Sequence, residues 1–339
     1  MPEKPDSVES SSSGSSVIPP LPTPMDAHAP SELLLEAWHE VQPLDDATYE
    51  RAFYGAFVPN STEYRSAAGV DGPMLYRTRS ILQALPRFSS MLSIGTGDGM
   101  FDDDLYGAQG LDTFRAIEPN TAHLAKLTKR VETKPNWGNR EVIPTYFDQK
   151  FDPTLLGEHR FDAALMTHCA YFLKDPVATM EHAQSFLTEE GAVVVLHQSE
   201  AQGVCPHFRH FEKRFGLQWD PNAIRQDHAM STGSLSAALA AKGLSHYVGE
   251  EPAQIYVDMF HQADPEKNPK VLDLLSFFMN TNVRSFPAAA ISEMIASVRE
   301  RSELRPSGRY EFDHPQGFIV LPQAGSRTDF SVFNLKKVL

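Results

Sequence analysis

An α/β fold on a doubly wound, mostly parallel sheet is what the sequence predicts. Short apolar runs alternate with helix-patterned segments between residues 90 and 198, the pattern of a parallel sheet with crossover helices. The first of those runs ends in a glycine-rich turn. The 339-residue length and 41% hydrophobic content allow one large α/β domain or two smaller ones, ample for a core.

Residues 1–28 are rich in Ser and Pro and nearly free of large apolar side chains, so they read as a disordered tail. The tail lacks the apolar core of a secretory signal. It is also too acidic for an organellar presequence, with Lys4 set against Glu3, Asp6 and Glu9. Residues 34–57 and 74–85 carry helix-like apolar spacing. SMLSIG (90–95) suits a buried parallel strand. A helix over 100–109, a strand over 113–119 and a helix over 121–131, capped by Asn120 or Thr121, follow. Strands are then expected at 141–147 and 161–168, a helix at 175–187 and a strand at 191–198. Beyond these, 205–215 and 234–242 read as helices, 244–248 and 254–260 as strands, and 271–279 and 288–299 as helices. Residues 309–322 read as a hairpin-like pair, and 323–339 as a peripheral tail. No repeat of period 20–50 is visible.

Composition removes several function classes. The formal net charge is −14, from 30 basic and 44 acidic residues with no clustered Lys/Arg face. Nucleic acid and anionic membranes are therefore poor partners. No run approaches the ~20 apolar residues of a membrane span. Two cysteines, Cys169 and Cys205, make neither a disulfide framework nor a four-cysteine zinc site. The chain reads as a reduced, soluble, cytoplasmic protein, and a monomer is expected.

The strongest local signal is SIGTGDG (93–99). Gly95, Gly97 and Gly99 fall between a predicted strand and a predicted helix, where glycine lets a ligand approach bare backbone. Glu118 ends the next predicted strand, at the edge where an acid binds both hydroxyls of a ribose. The spacing G-x-G-x-G departs from the dinucleotide fingerprint G-x-G-x-x-G, and no P-loop lysine follows. Asp102, Asp103 and Asp104 beside the loop would repel a pyrophosphate yet tolerate a cationic, phosphate-free nucleoside such as S-adenosylmethionine. The same acids would equally serve as favourable charge at a helix N-terminus.

At this point the chain resembles the small-molecule S-adenosylmethionine-dependent methyltransferases, and more narrowly the histamine N-methyltransferase type. SIGTGDG and IEP (117–119) carry the class. The narrower resemblance rests on YERAFYGAFVPNSTEY (49–64), IEPNTAHLAKL (117–127), AYFLKDPVATMEHAQSFL (170–187), LLSFFMNTNVRSFPAAAISEM (274–294) and FDHPQGFIVL (312–321). It implies a Rossmann-like methyltransferase fold with a seven-stranded, mostly parallel sheet. The domain would span 29–322, with a cofactor half at about 85–200. Substrate-side elements would lie at 29–84 and 201–322. It also implies that Gly95 lies against the methionine portion of the cofactor, Glu118 binds the ribose, His123 lies near the adenine and Thr167 closes the pocket. A residue near Asp148 or Gln149 would reach the adenine amino group.

On the acceptor side the resemblance places the substrate-anchoring glutamate at Glu63, which would bind an amine or imidazole N–H through a charge-assisted hydrogen bond. His168 and His314 stand where the family has amides. An imidazole can accept a proton near neutral pH, which an amide cannot, so the acceptor would be a small amine or imidazole compound that loses a proton on transfer. The expected reaction is in-line displacement, assisted by positioning and desolvation. Glu63, His168 and His314 also compose a two-His, one-carboxylate set, but methyl transfer from a sulfonium needs no metal, and none is expected. Tyr171, Phe172, Phe277 and Phe278 could wall an aromatic pocket, although such residues are more often simply core, and His207 and His210 read as a solvated helix face. Three other readings stay open: another reaction on S-adenosylmethionine or O/S-methylation, a nicotinamide-dependent oxidoreductase, and a non-catalytic binding module.

Overall fold

The computed structural model describes residues 44–64, 71–106, 110–215 and 230–339. The expected tail at 1–28, and residues 34–43 of the first expected helix, lie outside the described residues. The described part of that helix is α1 (Asp46–Glu50), which runs directly into a π-helical turn at Arg51–Phe57. Next come α2 (Pro73–Gln83), β1 (Ser90–Ile94), α3 (Met100–Tyr106), β2 (Leu111–Ile117), α4 (Thr121–Glu132) and β3 (Trp137–Ile143). β4 (Phe161–Thr167), α5 (Pro176–Gln184), β5 (Leu187–Gln198), α6 (Val204–Phe215), α7 (Thr232–Ala241), β6 (His246–Glu251) and β7 (Gln254–Tyr256) follow. The chain ends with α8 (Pro269–Met279), α9 (Ala288–Glu300), β8 (Ser302–Leu304), β9 (Tyr310–Asp313), β10 (Gln316–Pro322) and β11 (Lys336–Val338).

Among the described residues the large sheet has eight strands in the order β11-β6-β10-β5-β4-β1-β2-β3. The block β3-β2-β1-β4-β5 is parallel, and β10 enters antiparallel between β5 and β6. Every residue of β1 is buried, as a central strand covered on both faces requires. Local chemistry sets the boundaries. Asn120 caps α4 by accepting from the Ala122 N–H at 2.9 Å, and Asp175 caps α5 ahead of Pro176. β3 begins earlier than its apolar run because Trp137 anchors it, with its ring 4.4 Å from Phe114.

Two expectations are corrected here. The sheet has one strand more than the seven expected. The extra strand, β11, comes from the segment read as a peripheral tail and pairs antiparallel with β6. Its short Lys-Lys-Val run carries no apolar signal, but fully buried Phe330 and buried Leu335 anchor the segment. The supposed hairpin at 309–322 is not one either. β9 pairs with β7 and β8 in a separate three-stranded sheet, whereas β10 joins the large sheet. The chain changes sheets at His314-Pro315, because a residue before proline is held extended and proline cannot donate to a ladder.

This topology gathers the candidate site residues at one edge. Between β1 and β4 the strand order reverses, which opens a crevice outside the carboxyl ends of the strands. Gly95, Glu118 and Thr167 all stand at those ends. Because Gln316 of β10 pairs with Gln198 at the end of β5, His314 arrives at the same edge.

Candidate active site

On the nucleotide side, the Gly95 N–H donates to the Ile117 carbonyl at 2.8 Å, tying the glycine loop to the end of β2. Glu118 is buried, and its two carboxylate oxygens accept from the Gly97 and Asn120 N–H groups, each at 2.8 Å. Gly97 has φ +60, and a Cβ there would meet nothing within 4 Å, so bare backbone faces open space. Cys169 forms the floor beneath Gly95. Its thiol donates to the Ile94 carbonyl at 3.3 Å, and burial pushes it up to about 12, out of nucleophilic range.

Two buried polar atoms at this edge lack hydrogen-bond partners, Thr167 Oγ1 and His123 Nδ1. The His123 ring lies edge-on to Tyr49 at 6.3 Å. An acid beside bare glycine backbone, with orphan polar atoms nearby, fits a nucleoside whose ribose diol would bridge to Glu118. Asp148 is exposed, and its hydrogen bond to the Lys150 N–H (2.7 Å) stays within its own turn. Gln149 donates to Thr179 Oγ1 at 3.0 Å, on α5. The acid run does not screen the loop. Asp102 is buried against the Thr96 hydroxyl, with its carboxyl pushed up to about 6 by burial, and Asp103 pairs with Arg130 and Lys134.

On the acceptor side, a bridge between Ser61 and Ile255 and the Thr62 N–H bond to the Gln254 carbonyl (2.8 Å) fix the Glu63 turn to β7. Glu63 is 1% exposed, and its Oε2 lies 3.5 Å from His314 Nε2. Burial pushes the Glu63 carboxyl up to about 8. Burial, and then the charge of nearby His168, push His314 down to about 3. Both groups are therefore held toward their neutral forms. His168 leaves β4 at φ +48, a left-handed conformation that is costly for a non-glycine residue and recurs at functional sites.

The π-helical turn joins the two sides. Burial, and then the charge of Asp98 on the glycine loop, push the Tyr54 phenol up, while the Phe57 ring stands edge-on to His314 at 6.0 Å. Phe277 stacks on Phe57 at 4.2 Å, and Phe53 contacts both Phe277 and Tyr64. Of the four candidate wall residues, Phe277 packs on Phe57, half-buried Tyr171 lies beside His197, Phe172 is exposed and Phe278 is core, packed on Phe312. The solvated face expected at His207 is overturned as well. That side chain is fully buried among Phe211, Phe278 and Phe312, and desolvation holds it well below the ordinary imidazole range.

Sequence reasoning missed the π-helical turn, which no residue pattern announces, and His197. The latter is fully buried on β5, with its ring 5.2 Å from Tyr171 and 6.3 Å from His168. A histidine closing the apolar run GAVVVLH was the available signal. Among the described residues no group of three or more His, Cys, Asp or Glu is arranged to hold a metal ion. Nor is any helix among them long and apolar enough to cross a membrane.

The shifted pair makes stability depend on pH. Glu63 titrates higher folded than unfolded, so its contribution is full below the unfolded value near 4.5 and is lost as pH rises toward about 8. His314 works in the opposite direction, losing stability as pH falls from 6.5 toward about 3. The two slopes cancel between 4.5 and 6.5, and Glu63 acts alone above that range. Thermal denaturation is expected to show wild type losing Tm relative to Glu63→Gln as pH rises from about 6.5 to 8. A constant difference would place the Glu63 titration elsewhere.

The sequence profile of a methyltransferase domain matches residues 73–245. No curated protein sequence matches the chain. Similar solved structures include the YcgJ protein from Bacillus subtilis, at 12% identity and TM-score 0.46, covering 73% of this chain and 98% of that one. The plantazolicin methyltransferase BpumL in complex with SAH is 11% identical, with TM-score 0.42 and coverage of 85% and 94%. An O-methyltransferase family protein from Burkholderia thailandensis is 14% identical, with TM-score 0.39 and coverage of 53% and 52%.

Proposed function

This chain belongs to the methyltransferase-domain family, and from that premise we propose that it transfers a methyl group from S-adenosylmethionine to a nitrogen of a small amine or imidazole compound, as in the histamine N-methyltransferase type. One observation supports this above the others: a single π-helical turn carries Tyr54 into the electrostatic field of Asp98 on the glycine loop and sets Phe57 edge-on to His314 of the Glu63–His314 pair. A nucleoside on Glu118 and an acceptor on Glu63 would thus share one crevice.

S-adenosylmethionine supplies an electrophilic methyl group carried on a sulfonium. Glu118 would hold the ribose, Gly95 and Gly97 the methionine portion, His123 the adenine side, and Thr167 the closing wall. Asp148 belongs with them only through the resemblance. Glu63 orients the acceptor, because a buried carboxyl gains most from a cationic or N–H partner that ionises it in place. An imidazole, His168 or His314, takes the proton the nitrogen must lose. The aromatic rings exclude water and favour a flat or cationic acceptor.

The test is transfer of labelled methyl from S-adenosylmethionine to a panel of histamine, histidine, carnosine-like dipeptides, aromatic biogenic amines, phenols and thiols. An N-methylated amine or imidazole is the expected product. Labelling confined to phenols or thiols, or turnover without S-adenosylhomocysteine, would overturn the nitrogen assignment.

A further inference from the structure

The acceptor site holds two histidines that could take a proton, and the backbone distinguishes them. His314 Nδ1 accepts the N–H of Val204, the first residue of α6, at 3.4 Å. The first N–H groups of a helix have no partner within it, so this donor is fixed by the fold. The approach depends on Gly203, at φ +83. A Cβ there would lie 2.3 Å from His314 Nδ1 and 3.0 Å from its Cα. The other side of the ring meets Glu63, with Nε2 and Oε2 3.5 Å apart and both side chains buried.

A neutral imidazole has one N–H and one lone pair. With the Nδ1 lone pair engaged by Val204, the proton sits on Nε2, the nitrogen 3.5 Å from Glu63 Oε2. The reverse tautomer would set two N–H groups against each other at the helix end. Facing groups reinforce this: His168, just past β4, disfavours a second proton on His314, and the Phe57 ring covers its edge.

We propose that His314 is a positioning residue, locked as the Nε2–H tautomer by the amino end of α6, that holds Glu63 in one orientation for the acceptor. Its proton-bearing nitrogen faces the site, so His314 has no lone pair there with which to act as base. On the proposed function, the acceptor's proton then goes to His168, whose ring becomes an imidazolium as the N–H bond breaks and later gives that proton to solvent. The tautomer itself rests on the fold and needs no acceptor.

The experiment is a long-range 1H–15N spectrum of the full-length protein with 15N-labelled histidine, without acceptor. The His314 signals are assigned by their loss in His314→Gln. A pyridine-type Nδ1 and a protonated Nε2 are expected, with the same tautomer and no conversion to the imidazolium from about pH 5.5 to 8.5, while the Nε2 signal shifts as Glu63 ionises toward the upper end of that range. Glu63→Gln should move the Nε2 signal and leave Nδ1 in place. Gly203→Ala should disturb Nδ1 and serves as the second handle if His314→Gln does not fold. An Nδ1–H tautomer, or titration of His314 to the imidazolium within that range, overturns the proposal. With any acceptor found active, His314→Gln should keep the acid limb of the kcat profile and His168→Gln should lose it. The reverse result would make His314 the base. Failure of every acceptor would count against the proposed function and leave the tautomer result standing.

Discussion

Glu63→Ala is expected to raise the acceptor KM by about 30- to 5,000-fold while leaving the affinity for S-adenosylhomocysteine within about twofold. The size follows from what is removed. Truncating one partner of a buried, hydrogen-bonded charge pair costs about 2–5 kcal/mol, much of it from the partner left unpaired. Here the acceptor's N–H or ammonium would be that partner, in a site where Glu63 is 1% exposed. The spatial separation sets the selectivity: Glu63 is held by β7 and faces His314, whereas the proposed nucleotide side is built from Gly97 and Glu118. Steady-state kinetics with the best acceptor, beside a calorimetric titration of S-adenosylhomocysteine, measures both numbers. An unchanged acceptor KM would remove Glu63 from the acceptor site.

The complementary change is Glu118→Ala, for which S-adenosylhomocysteine is expected to bind about 100- to 1,000-fold more weakly. Each Glu118 oxygen already accepts a backbone N–H at 2.8 Å, from Gly97 and from Asn120. The side chain therefore shapes the loop and, on the proposed function, would also offer its lone pairs to a ribose. Its loss orphans two N–H groups and removes the hydrogen bonds to the diol, and hydrogen bonds to a charged group are worth about 1.5–3 kcal/mol each. Glu118→Gln should recover part of the loss, since an amide oxygen still accepts. Titration of both variants separates these cases, and wild-type affinity in Glu118→Ala would move the nucleotide site elsewhere.

Much of the nucleotide half was legible because its signals are local. A strand, a glycine turn and an acid at the next strand's end lie within one β-α-β unit, and the apolar period reports that unit directly. The acceptor half is assembled from distant segments. Glu63 meets His314 only because Ser61 bridges to Ile255 and because the chain changes sheets at Pro315. The resemblance named both residues, but periodicity alone placed neither, and it misread 309–322 as a hairpin. Charge was similarly opaque. The three consecutive acids beside the loop suggested a field against phosphate, yet Asp102 turned inward and Asp103 was neutralised from α4 and the turn after it. His207 looked like a surface residue because its helix is rich in charge, whereas the stripe it shares with Phe211 faces the core. The π-helical turn was invisible because its extra residue per turn leaves no compositional mark.

On the proposed function, the glycine loop and the Glu63–His314 pair serve one reaction. A crystal structure of the protein with S-adenosylhomocysteine and the best acceptor is the decisive check. The expected result has the ribose on Glu118, the homocysteine portion along Gly95–Gly97, and the sulfur facing an acceptor nitrogen held between Glu63 and His168. A nucleoside seated away from Glu118, or a sulfur turned from the Glu63 side, would contradict it.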